Sequence, residues 1–336
     1  MILCKYVSMT GEPSAERRIE LKDLDLRLIK LLESDPRSTQ SGLAAKLGIS
    51  RPTVGSVMQK LTESHVIRTV CLADHIALGY TDSVVFGINT MPGRLRGVSD
   101  ELASFAPIHY VAICAGPFDV MAWGLFKGRE EILDFITGGL GRVKGLSRFE
   151  TIMCQEVKIS PAYLSDSEGY RPAEKPVSLD QLDMALIGSL QRDSRQTAAD
   201  LAASLGTSKP TVLRRMKRLH DEGVIRLMTM VDPAALGYKV VISTGLKVTP
   251  DRIKEVAEGV GSHRNVHSVA LCTGRYDVLA WMTFRDRREM MDVLSGELGK
   301  IRGIRSMETV TSLKILKASF IYVNWKGELW KGFKKE

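Results

Sequence analysis

The chain holds 336 residues, 44% of them hydrophobic, enough for two or more packed domains. Its formal net charge is +8, so acidic partners are expected, nucleic acid before an anionic membrane surface. The five cysteines, none in a C-x-x-C pair, fit a reduced, cytoplasmic protein better than a disulfide scaffold or zinc site, and the lack of an apolar run of about 18 residues argues against a membrane span.

The stretches AGPFDVMAW (115–123) and TGRYDVLAW (273–281) are one motif repeated at an offset of 158 residues, from Gly116 to Gly274. The same offset lays Leu24-Asp25 on Leu182-Asp183 and LAAKLGISRPTV (43–54) on LAASLGTSKPTV (201–212). It also lays Leu78-Gly79-Tyr80 on Leu236-Gly237-Tyr238, His109 on His267 and Glu150-Thr151 on Glu308-Thr309, without a gap. A unit of about 150 residues is therefore present twice, a period too long for a solenoid.

In chain order, residues 1–20 read as a tail. Residues 21–80 are expected to form a winged helix-turn-helix and 81–160 a ferredoxin-like βαββαβ domain. The hydrophilic 161–178 reads as a linker. A second winged helix-turn-helix (179–238), a second ferredoxin-like domain (239–318) and a basic, amphipathic tail (319–336) follow. The fold class is α+β.

The periodicity is explicit in the second copy. Leu179, Leu182, Leu186 and Leu190 share one helical face, and Ser178 with Gln181 forms a capping-box pattern. A second helix is expected near 197–205, ended by Gly206 in a left-handed conformation. A third starts at Ser208 as N-cap, with Pro210 in its first turn. Val212, Met216 and Leu219 share its buried face, and Thr211, Arg214, Lys217 and Arg218 are expected on the other. GVIRLMTMVDPAALGY is expected to form a strand, a turn and a return, as a small wing. Strands at 239–248, 265–273, 277–284 and 304–316, with helices at 250–260 and 286–299, complete the ferredoxin-like order. That layout leaves one sheet face bare, and the second copy is the expected cover, face to face.

The basic third helix with SKPTVLRRMKRLHDEGVI, the Leu-Gly-Tyr exit and a G-x-Y-D turn in a ferredoxin-like domain resemble the leucine-responsive/AsnC (Lrp/AsnC) family of transcription regulators. The resemblance covers roughly 21–160 and 179–318. It implies double-stranded DNA as partner of the helical domains, dimerisation through the sheets, and a small effector, often an amino acid, at the ferredoxin-like domains. Because ordinary members carry one unit, the chain resembles a covalent pseudo-dimer, and further association into a homo-oligomer is expected.

On this reading the DNA-contacting residues are Ser208, Lys209, Thr211, Arg214, Arg215, Lys217 and Arg218 in copy two, and Ser50, Arg51, Thr53, Ser56 and Lys60 in copy one. Residues 208–226 carry six basic side chains against two acidic ones, and 50–68 three against one, so copy two is the expected dominant reader. Copy one also has Ser64-His65 where copy two has Glu222-Gly223.

The effector candidates are Gly274, Arg275, Tyr276 and Asp277, with Gly116, Phe118 and Asp119 in copy one. The leading reading makes these turns purely structural, glycine permitting positive φ and aspartate accepting nearby N–H groups. Copy one has Pro117-Phe118 against Arg275-Tyr276, so copy two is favoured as the sensing half.

An alternative is an enzyme resembling the siroheme decarboxylases, which share the duplicated plan and carry a His- and Arg-rich stretch before an aromatic-Asn turn. Here the stretches are HYVAICAGPFDV and HSVALCTGRYDV: no Arg precedes the second-half turn or the first, and Asp stands in place of Asn. The paired His109 and His267 therefore read first as packed side chains, Cys114 and Cys272 as small buried residues, and Trp123 and Trp281 as sheet-interface packing. No catalytic motif, metal-ligand cluster or cofactor loop is found, so no cofactor is expected.

Overall fold

A computed structural model describes residues 20–159 and 173–318. Both tails and most of the expected linker lie outside the described residues.

Three helices open the first half: α1 (Asp23–Ser34), α2 (Gln40–Leu47) and α3 (Arg51–Glu63). Strand β1 (Ile67–Ala73) leads through a turn to β2 (Asp82–Thr90), α4 (Leu95–Ser104), β3 (Ile108–Ala115), β4 (Val120–Phe126), α5 (Arg129–Asp134) and β5 (Leu146–Ile159). The second half repeats this as α6 (Gln181–Arg192), α7 (Ala198–Ser204), α8 (Lys209–Asp221) and β6 (Ile225–Val231). It continues through β7 (Val240–Val248), α9 (Ile253–Gly261), β8 (Val266–Thr273), β9 (Val278–Phe284), α10 (Arg287–Met291) and β10 (Ile304–Ala318).

The expected signals place most boundaries within a residue or two. Thr197 caps α7 and shares a capping box with Asp200, Ser208 caps α8, and Gly206 has φ +63°. The α6 start is corrected: the box uses Asp180 and Asp183 rather than Ser178 and Gln181. The helix expected at 286–299 is short α10, continued by wider π and tighter 3-10 turns to Lys300.

The wing is also corrected. Each copy contributes one strand, and β1 pairs antiparallel with β6 of the other copy, Val70 opposite Met228. The following segment turns instead of returning as a strand, Gly79 and Gly237 taking φ +87° and +88°.

The exchange has an energetic basis. Cys71, Ala73, Ala77, Leu78 and Tyr80 of copy one are buried in the core of α6–α8, together with Leu186, Leu190 and Leu219. Reciprocally, Val231 joins Leu28, Leu32 and Leu61 in the core of α1–α3. Each three-helix unit completes its apolar core with the other's strand, so the heads are interlocked through the hydrophobic effect. Part of the expected linker contributes as well: the Ala173 and Val177 amides donate to Asp74 Oδ2 (2.9 Å) and the Ala77 carbonyl (3.0 Å).

The remaining eight strands form one closed barrel in the order β10-β3-β4-β2-β5-β8-β9-β7. Within each half the fourth strand lies beside the first, the first beside the third and the third beside the second. The two sheets hydrogen-bond along both edges, β5 to β8 and β10 to β3. Inside lie Val85, Ala112, Phe118, Met121, Ile152 from one half and Ala270, Tyr276, Leu279, Val310 from the other, with Trp123 and Trp281 at their margin. The bare faces therefore cover each other, and edge pairing removes the open strands that two stacked sheets would leave.

Candidate nucleic-acid interface and effector turns

Helices α3 and α8 carry the DNA candidates. Ser208 Oγ accepts from the Thr211 amide (3.3 Å) and Ser50 Oγ from the Thr53 amide (3.2 Å), so these four residues set the start of each helix. Lys209, Arg214 and Lys217 are exposed on α8, and Arg51 and Ser56 on α3. Lys217 pairs with Asp221 one turn on. Arg214 and Arg51 form no ion pair among the described residues.

Three candidates reach back to the first helix, although Arg218 and Lys60 keep 41% and 39% of their side-chain surface exposed. Arg215 Nη1 donates to Asp183 Oδ1 (2.8 Å) and Asp180 Oδ2 (2.6 Å), and Arg218 also bonds Asp183. In copy one Lys60 Nζ donates to Asp25 Oδ2 at 2.8 Å. The Asp183 and Asp25 side chains are 1% and 4% exposed, so their charges must be compensated within the fold. Arg215, Arg218 and Lys60 are thus committed to holding the third helix against the first. The Arg215 guanidinium beside Asp180 holds that carboxyl below its usual range. The signal was present in the sequence as the repeated Leu-Asp at 24–25 and 182–183.

The charge contrast between the copies survives in smaller form. Lys209, Arg214 and Lys217 occupy the positions of Arg51, Ser56 and Gln59, so copy two presents three outward cations where copy one presents one. His65 stands at the position of Gly223 and adopts the same left-handed backbone, φ 58° against 72°.

At the barrel, both G-x-x-D turns lie against the opposite half. Gly116 has φ +140° and faces the Thr309 carbonyl, and Gly274, φ +112°, faces that of Thr151. Phe118 and Tyr276 are buried, their rings lying on Gly87 and Gly245, where any side chain would collide. Asp119 Oδ2 accepts the Thr90 amide (2.7 Å), and Asp277 Oδ2 accepts the Val248 amide (2.8 Å). Lys247 Nζ also donates to Asp277 Oδ1 (3.0 Å).

Arg275 makes contacts that Pro117 cannot. It donates to Glu308 of its own half (2.8 and 2.9 Å) and through Nη1 to both Glu150 oxygens of the other (3.2 Å). Tyr276 Oη donates to Glu308 Oε2 at 2.5 Å, and the guanidinium lies 5.3 Å from the Phe118 ring centroid. Arg275 holds Glu308 below the usual carboxylate range, and burial raises the Tyr276 phenol. The arrangement is a charged clamp between the halves.

The paired histidines are packed. His109 is buried beside Trp123 (6.1 Å between rings), and burial, Lys317 and His75 push its pKa down to about 3. His267 Nε2 lies 2.6 Å from Thr283 Oγ1. Among the described residues no cluster suited to a metal ion occurs, and no helix is long and apolar enough to cross a membrane.

A winged helix-turn-helix DNA-binding family model matches residues 21–68 and 179–226, and the Lrp/AsnC ligand binding domain matches 241–321. An uncharacterized HTH-type transcriptional regulator of Pyrococcus furiosus is 34% identical over 139 residues, 40% of this chain and 94% of the relative. The HTH-type transcriptional regulator LrpA of Pyrococcus horikoshii is 31% identical over 140 residues, 41% of this chain and 99% of its own. The crystal structure of the siroheme decarboxylase NirDL has a similar fold, with a TM-score of 0.63 and 16% identity over 88% of this chain and 92% of that one. Two helix-turn-helix heads and a ligand-binding domain define a transcription regulator. The chain belongs to the Lrp/AsnC family, with its helix-turn-helix unit duplicated.

Proposed function

We propose that the two heads read two half-sites of one DNA duplex, doing within a single chain what a homodimer does with two. The observation that carries this reading is the reciprocal exchange of β1 and β6, which ties α3 and α8 into one unit. Half-sites are then separated by about one helical turn or a multiple. Lys209, Arg214 and Lys217, with Ser208 and Thr211 at the helix start, form the stronger head; Ser50, Arg51, Thr53 and Ser56 form the weaker. The two ferredoxin-like sheets receive a small effector, an amino acid or similar metabolite, at the backbone of the Gly116–Asp119 and Gly274–Asp277 turns. In this reading the protein is cytoplasmic, acts by binding, and associates further into a homo-oligomer of pseudo-dimeric chains. Titration of a selected duplex with Arg214→Ala and Ser56→Ala tests the asymmetry. Equal losses overturn it; a loss confined to the Arg214 variant supports it.

The likeness to NirDL favours one competing reading, an enzyme acting on a tetrapyrrole. Its test is absorbance on adding iron-uroporphyrin: the regulator reading requires no stoichiometric Soret shift, and a saturable one replaces it.

A further inference from the structure

The two seams of the barrel are not chemically equivalent. Across β5–β8, Cys154 of the first half stands opposite Cys272 of the second, with Sγ atoms 3.8 Å apart. The 158-residue offset turns this pair into Ser312 and Cys114 on the β10–β3 seam, where no second thiol is present. Cys272 lies two residues before Gly274, and its amide donates to the Asp277 carbonyl (2.9 Å), which closes the turn. A β-bulge follows Cys154 directly, leaving the strand locally irregular. The two residues are buried, 6% and 9% exposed, within the apolar cluster that fills the barrel.

We propose that Cys154 and Cys272 form an oxidative cross-linking site that covalently joins the two halves, with hydrogen peroxide as oxidant. One thiolate attacks a peroxide oxygen, giving a sulfenic acid and water; the second displaces water from that sulfur. Two thiols and one peroxide yield one disulfide and two waters. The thiols are already in van der Waals contact and on directly paired residues, so side-chain rotation supplies most of the remaining approach. The neighbouring Cys154 thiol and then burial raise the Cys272 thiol, so the reaction is slow.

The test uses the full chain with a site-specific protease sequence inserted within 161–172. After treatment with hydrogen peroxide and cleavage, the halves are expected to run on a denaturing gel as one species without reductant and as two with it. Five titratable thiols in the sequence should fall to three. Cys154→Ser and Cys272→Ser should each abolish the link, and Cys71→Ser and Cys114→Ser should keep it. Ser312→Cys should install a second link at the other seam. Separation of the halves after oxidation, with Cys154 and Cys272 unmodified or converted to sulfinic acid, overturns the proposal. So does a link that persists in Cys272→Ser.

Discussion

Arg214 and Arg218 lie one turn apart on α8, but their substitution should have opposite consequences. Asp183 is almost fully enclosed and receives Arg215, Arg218 and the Asp180 amide. Removing Arg218 leaves Arg215 in place, so the expected cost is one charge-assisted hydrogen bond, about 1.5 kcal/mol because the Arg218 side chain is 41% exposed. Removing Arg215 and Arg218 together strands the carboxylate, and the cost should rise to about 3–5 kcal/mol. Copy one supplies an internal control: Lys60 is the one side-chain cation bonded to Asp25 among the described residues, so Lys60→Met alone should approach the double variant. Its side chain is 39% exposed, which puts it at the lower end of that range. Arg214→Ala should leave stability unchanged and weaken DNA binding. Hydrogen exchange at α6 and α8 amides reads the local free energy without assuming that the whole chain unfolds at once. If Arg215→Ala/Arg218→Ala exchanges like the parent and loses DNA affinity as Arg214→Ala does, the inward assignment is wrong.

His65→Gly should stabilise the first head by about 0.5–1 kcal/mol, because glycine adopts its left-handed backbone without the side-chain penalty; a lower midpoint in urea would contradict this. Gly87→Ala and Gly245→Ala should each cost about 1–3 kcal/mol, since the added methyl meets the Phe118 or Tyr276 ring; unchanged melting would refute that packing. His109 has a depressed folded pKa of about 3, so stability is full above its unfolded value near 6.5 and falls as pH drops below it. Between about pH 6.5 and 5, His109→Gln should flatten the slope by up to roughly 1.4 kcal/mol per pH unit, and an unchanged slope rejects the assignment. Arg275→Ala should make the separated halves of a chain cleaved in the linker dissociate more readily, through loss of the bonds to Glu150; unaltered association would count against the clamp.

Features carried by local pattern were legible in the sequence. The 158-residue offset exposed the duplication, and capping residues such as Ser208 and Thr197 placed the helices. Pairing between copies was less legible. Strand β1 reads identically whether its partner is in its own unit or the other, because a single strand encodes faces and not neighbours. The wing was therefore expected where an exchanged ribbon exists. Helical spacing alone also put Arg218 on the outer face. Residues 215 and 218 flank the buried stripe of Val212 and Leu219, and a buried acid on another helix decides which way they turn. The turn candidates carried the same ambiguity: Phe118 and Tyr276 fill the barrel, and the glycines opposite them reveal this only once β2 and β7 are in register.

The most direct test of the central claim is a footprint of the purified full chain on duplexes selected from random sequence. Two protected half-sites in helical phase on one duplex are expected, with Arg214→Ala losing contacts mainly at one of them and a salt dependence that becomes shallower. Selection of no shared sequence, or protection of a single half-site unaffected by Arg214→Ala, would contradict it.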